Sequence, residues 1–194
     1  AILRTAQLAG LTSAQMGALK TDQVIALSTA QVRGLSVEQL NGLTTQALRQ
    51  LETADIKALT PAQLLGLSSA QVFALATHQV AALDVAQLVV LDSEAVKALS
   101  TQQIQALSTA LVNNLSSSQL SALSTAQLAA LKTDQVTALS TSGLRGLAVS
   151  QLQALSTDKL ALLSESQLTA LSSEQISGLQ TSQIAGLQTA QISQ

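Results

Sequence analysis

The amino-acid sequence predicts an all-α solenoid, a superhelix of very short helices with one helix in every eight-residue repeat. Three observations lead there. Leucine recurs every eighth residue from Leu3 to Leu187 with no insertion or deletion, which makes 24 octads, and a fixed short period is the sequence signature of a repeat architecture. That period fits neither a continuous helix nor a strand. Eight helical residues advance about 800°, so the leucines of one long helix would spiral around it instead of lining one face. In a strand, leucine and the aliphatic residue five places later would point to opposite faces. The third observation is a hydroxyl residue followed three places later by Gln, as in ten of the 24 octads, a pattern that starts a helix.

Numbering each leucine as position 1, the elements follow in order. Position 2 is the expected N-cap, and in Leu27-Ser28-Thr29-Ala30-Gln31-Val32 the Ser and Gln form a capping box flanked by a leucine–valine hydrophobic staple. Some octads, such as those with Lys20-Thr21 and Gln188-Thr189, leave the cap to position 2 or 3. Pro61, the one proline, falls at the first helical residue, where its missing N–H costs nothing. Position 5 is Gln in 18 of 24 octads, and position 6 is aliphatic or Met in all. All eleven acids lie at positions 2 to 5, and five of the nine bases lie at position 7, the arrangement a helix dipole favours. Position 8 is Ala or Gly in 19 octads; the bend is expected there, with small size rather than a left-handed backbone as the reason. The octads are equivalent, so a spiral is expected rather than a stack of helical hairpins. One octad orders too much backbone for the two large aliphatics it buries, so stability should grow with repeat number.

Composition excludes much chemistry. The chain has 47% hydrophobic but 1% aromatic residues, 10% charged residues, one His and no Cys. Thiol chemistry and multi-histidine metal sites are ruled out, and no Ser or Thr is accompanied by a base with an orienting group. No enzyme, cofactor or metal is expected. A net charge of −2 gives no footprint for nucleic acid, and no apolar run reaches the roughly 18 residues of a membrane span.

Position 7 varies freely and is expected to face solvent. In the middle of the chain it reads Leu65, Phe73, Ala81 and Val89, with Val90 beside the last. If neighbouring octads align, these five residues form an apolar row suited to a protein or glycan partner. His78, in the same stretch, reads as a surface histidine, and Asn114-Leu115-Ser116 matches a glycosylation acceptor.

Residues 1–194 read as a single uninterrupted array, with Ala1 and Ile2 as the tail of an earlier octad and no polar cap at either end. The chain is therefore expected to be a segment of a longer protein, with end-to-end self-association through uncapped termini as a further expectation. The run Ala-Leu-Ser-Thr-Ala-Gln-Val at Ala26 to Val32, repeated with a final Leu at Ala122 to Leu128, resembles octapeptide-repeat tracts of very large secreted or surface-exposed bacterial proteins of the adhesin or exoprotein type. That resemblance implies a secreted or cell-surface location and a non-catalytic stalk or spacer role. The alternative is a repeat scaffold that binds a protein or glycan through its variable exposed positions. The calcium-binding repeats common in such proteins are absent from this sequence.

Overall fold

The computed structural model describes residues 3–192; Ala1 and Ile2 lie outside them. The described chain is all-helical, with one helix of four to six residues in each octad and no strand among the described residues. Two compact units are present, one ending at Leu99 and the other starting at Ser100.

The octad beginning at Leu67 shows how each helix starts. Ser68 has an extended backbone (φ −66°, ψ 154°). Its Oγ accepts from the Gln71 amide at 3.3 Å, while its own N–H donates to Gln71 Oε1 at 3.1 Å. Two amides that the first turn leaves without helical partners are thereby satisfied. Elsewhere one half of this pair suffices. Ala76, Ala148, Lys20 and Lys132 offer no capping oxygen, and there the Gln half alone closes the start. Where position 5 is Ala47, Ala95, Leu111 or Gly143, the Thr, Asp or Ser at position 2 caps alone. Pro61 is the first helical residue of Pro61–Leu65, and the cap sits at position 2 in the octads of Lys20 and Gln180 as in the others.

The change of direction is made at positions 1 and 2, not at position 8. Gly34 and Gly66 remain right-handed helical (φ −83° and −78°), and no described glycine has a positive φ. The helix closes with a tight turn in which the leucine N–H donates to the position-6 carbonyl three residues back, as Leu75 does to Val72 at 3.2 Å. That leucine then swings to the extended region (φ −55°, ψ 138° at Leu75). The next N-cap is extended too, because only that backbone lets its side chain turn back over the following amides. Two successive extended residues make the corner.

Within each unit, helices three octads apart pack on one another. Ser13–Gly17 lies against Val37–Gly42, Ser69–Ala74 against Ser93–Ala98, and Ser117–Ala122 against Thr141–Arg145. A turn of the spiral thus takes between three and four octads. Positions 1 and 6 fill its interior: Leu40, Leu48, Ile56, Leu120 and Leu144 are completely buried, each contributing about 1.5–3 kcal/mol. Small residues at position 8 let the turns close. A Cβ on Gly66 would collide with Val37, 29 residues earlier, and one on Gly178 with Val149. Size is therefore the reason for glycine at this place, as the sequence led us to expect.

Candidate interaction surface

Polar atoms buried between turns are the most ordered chemistry in the molecule, and they come from the position-5 glutamines. Gln71, Gln79, Gln135 and Gln175 use both ends of the amide. In the first unit Gln71 Oε1 holds the Ser68 N–H, while its Nε2 donates to the carbonyls of Leu40 and Leu43, 31 and 28 residues earlier, at 2.9 and 3.2 Å. Gln79 reaches Leu48 and Leu51 at 3.1 and 2.7 Å. The second unit repeats the register, with Gln135 on Ile104 and Leu107 at 2.9 and 2.8 Å and Gln175 on Leu144 and Leu147 at 2.9 and 2.7 Å. The two acceptors bracket the corner of the earlier turn, whose irregular backbone needs a donor once it is buried. No buried side-chain polar atom among the described residues lacks a partner.

Sequence reasoning assigned these glutamines to capping alone. One signal pointed further. A capping box needs only an acceptor at its third residue, and Glu would satisfy both the box and the helix dipole. Glu nevertheless occurs at position 5 in none of the 24 octads, because a carboxylate has no N–H to give to the neighbouring turn. Asp55 is the acidic exception. It is buried, accepts from the Glu52 N–H at 3.0 Å, and takes a hydrogen bond from the Thr29 hydroxyl at 2.8 Å.

The outer surface carries the candidate binding residues. Leu65 and Phe73 are 57% and 60% exposed, Val89 and Ala81 are exposed, and Val90 is half-buried. Neighbouring octads do not align, because each takes up a quarter to a third of a turn. The helix Pro61–Leu65, which carries Leu65, packs on Val85–Val89, which carries Val89. Phe73 lies on a helix that packs on Thr45–Arg49 and Ser93–Ala98, and Ala81 on one that packs on Thr53–Ala58. Position 7 also has a structural use. Gln105, Arg145 and Gln153 each donate to a position-8 carbonyl 25 residues on, at 2.9, 3.0 and 2.7 Å.

Two grooves open on this surface. One, of about 630 Å³, follows the corner Thr137–Thr141 in the second unit and is walled by Thr109, Asn113, Ser164 and Ser166. No charged side chain lines it, and two of its serines serve helix starts: Ser140 accepts from Gly143 N, and Ser164 from Gln167 N. The other, about 460 Å³ in the first unit, brings Arg49, Glu52 and the exposed His78 together. Asn114 closes the end of its helix, its Nδ2 donating to the Ala110 carbonyl at 2.8 Å. The Glu38 carboxyl is held below its ordinary pKa by its own backbone amide and the Ser36 hydroxyl. No cluster of three or more His, Cys, Asp or Glu side chains suited to a metal occurs among the described residues, and no helix there is long and apolar enough to cross a membrane.

With the octad geometry in place, comparison with known families is decisive on one point. The family model described as the ALTTAQ repeat matches residues 1–29, 48–85 and 112–141, half of the chain. The chain belongs to the ALTTAQ repeat family. Ala58-Leu59-Thr60-Pro61-Ala62-Gln63 and Ala122-Leu123-Ser124-Thr125-Ala126-Gln127 each depart from those six letters at one residue. In structural terms the ALTTAQ letters spell the small residue at the turn-to-turn contact, the core leucine, the N-cap, the first two helical residues and the doubly bonded glutamine. No curated protein matches the chain.

Proposed function

We propose that this ALTTAQ array is a non-catalytic structural module, a stalk or spacer within a large secreted or cell-surface bacterial protein. One observation carries the reading: the side chains that would otherwise do chemistry are used by the fold. Glutamine amides tie turn to turn, and serine and threonine hydroxyls close helix starts, in octad after octad. A module of this kind adds length by adding identical units. Scattering from arrays lengthened or shortened by whole turns tests it: the maximum dimension should grow in proportion to octad number, and a dimension that levels off would count against a spacer. Labelling of intact cells with an antibody to the array tests the surface location, and labelling only after lysis would refute it.

The second reading, a scaffold for a protein or glycan partner, is favoured by the exposure of Leu65 and Phe73, which the fold itself does not require. Retention on a glycan or protein array that Leu65→Glu and Phe73→Glu abolish would select it over the spacer.

A further inference from the structure

The two surface grooves lie at the same place in the octad frame. In each, a position-5 glutamine reaches a corner of the turn below, bonding the leucine carbonyl 28 residues earlier, and the position-4 residue beside it forms the facing wall. Gln167 donates to the Thr137 and Leu139 carbonyls at 3.1 and 2.8 Å, and Ser166 lines the groove with residues 137–141. Gln79 donates to those of Leu48 and Leu51 at 3.1 and 2.7 Å, and His78 lines the groove with residues 49–54. The glutamine thus fixes both walls relative to each other, as a preorganised site requires.

The chemistry of the two differs. The groove in the second unit is neutral, whereas the one in the first unit gathers Arg49, Gln50, Glu52, Thr53 and His78. No hydrogen bond or ion pair from these five side chains is found among the described residues. At equivalent places the fold does engage such groups. Arg145, at position 7 like Arg49, donates to the Ala170 carbonyl, and Asn114, at position 8 like Gln50, bonds to its own helix. Asp84 and Asp92, at position 2 like Glu52, cap their helices. The Glu52 carboxylate makes no cap bond, and Asp55 closes that helix start instead. Position 8 is where Ala or Gly is usual, so Gln50 supplies nothing that the packing asks for.

We propose that this groove binds a carboxylated sugar, a uronic-acid unit of an acidic glycan. Arg49 offers a planar fork of two donors that matches one carboxylate. One guanidinium beside one carboxylate is too little positive charge for a phosphate dianion. Glu52 accepts from ring hydroxyls, and Gln50, Thr53 and His78 both donate and accept, which suits the several hydroxyls of a sugar. No Phe, Tyr or Trp lines the groove to stack on a neutral sugar, so the charge must supply the affinity. A volume of about 460 Å³ is that of a small-molecule site, and the open ends let a polymer run on past the bound unit. The site gives the scaffold reading a ligand class and rests on that reading, though not on the Leu65 and Phe73 surface.

His78 is the one histidine of the chain, so its imidazole signals report on this groove alone. NMR titration of the full 194-residue chain with digalacturonate, at constant pH and ionic strength, tests the proposal. The His78 signals should shift saturably, and the neutral galactose disaccharide, acetate and glycine should each bind at least about tenfold more weakly. Arg49→Ala should weaken digalacturonate binding at least about tenfold by removing a charge-assisted pair. Gln50→Ala, which restores the usual residue at its place, should weaken it by a smaller factor, and Ser166→Ala in the neutral groove should leave it unaltered; far-UV circular dichroism confirms parental helicity in each. No saturable shift, equal binding of the neutral disaccharide, acetate or glycine, or an Arg49→Ala chain that binds as the parent does would overturn the proposal. A chain that loses a partner through Leu65→Glu and Phe73→Glu yet gives no His78 response would refute this site and leave the scaffold reading standing.

Discussion

Gln15 and Gln71 are the same residue at the same place in the same motif, and both accept the N-cap amide of their own helix. Gln15, in the first turn, is exposed; Gln71, with a turn beneath it, is buried and bonded to Leu40 and Leu43. The difference separates what an octad does alone from what it does with a neighbour. Alone it starts a helix of about one turn, which is not stable in water. Stacked, the same amide satisfies the corner of the turn below and removes two aliphatic side chains per octad from solvent. Stability therefore resides in the contact between turns and not in the octad.

The largest effect should come from removing the neighbour altogether. A peptide of residues 67–90, three octads with no helix three octads away on which to stack, should show a coil spectrum by circular dichroism, whereas the full chain is helical; a helical peptide would break the comparison. Next comes a reversal of the amide. Gln79→Glu sets an unpaired carboxylate against two buried carbonyls and should cost about 3–5 kcal/mol in urea unfolding, while Gln15→Glu in the first turn should stay within about 0.5 kcal/mol.

Much of this was legible in the sequence and some was not, for a physical reason. The octad frame, the N-cap at Ser68, the place of Pro61 and the buried positions 1 and 6 rest on interactions within a few residues, which a pattern displays directly. The second bond of Gln71 joins residues 28 and 31 apart, and the capping box already explained the glutamine. The missing Glu at position 5 was the trace of that long-range demand. The corner was expected at position 8 because small residues cluster there, but those residues record close approach between turns. The turning is done by the extended backbone of Leu75 and its equivalents. Which position-7 residues share a side depends on the number of octads per turn, which no local spacing encodes.

Glycine sharpens the comparison at smaller scale. Gly66→Ala drives a methyl into Val37 and should cost about 1–3 kcal/mol. Gly10→Ala, in the first turn, meets only ordinary contact with the Gln7 carbonyl and should stabilise by about 0.4–1 kcal/mol. Paired thermal melts of the two variants decide it, and equal shifts would contradict the packing argument. A gain in stability is also expected at Asp55, where the ladder lacks a donor. Asp55→Gln restores one and should raise stability by about 1 kcal/mol, measured as a higher urea midpoint at unchanged slope.

The most direct test of the account is solvent exchange of the glutamine side-chain amide protons, read by NMR in a single sample. Nε2 protons of Gln71, Gln79 and Gln175 should exchange at least about a hundredfold more slowly than those of Gln15 and Gln23, because they are released only when one turn parts from the next. Equal exchange at the two sets of sites would show that the amides do not hold the turns together.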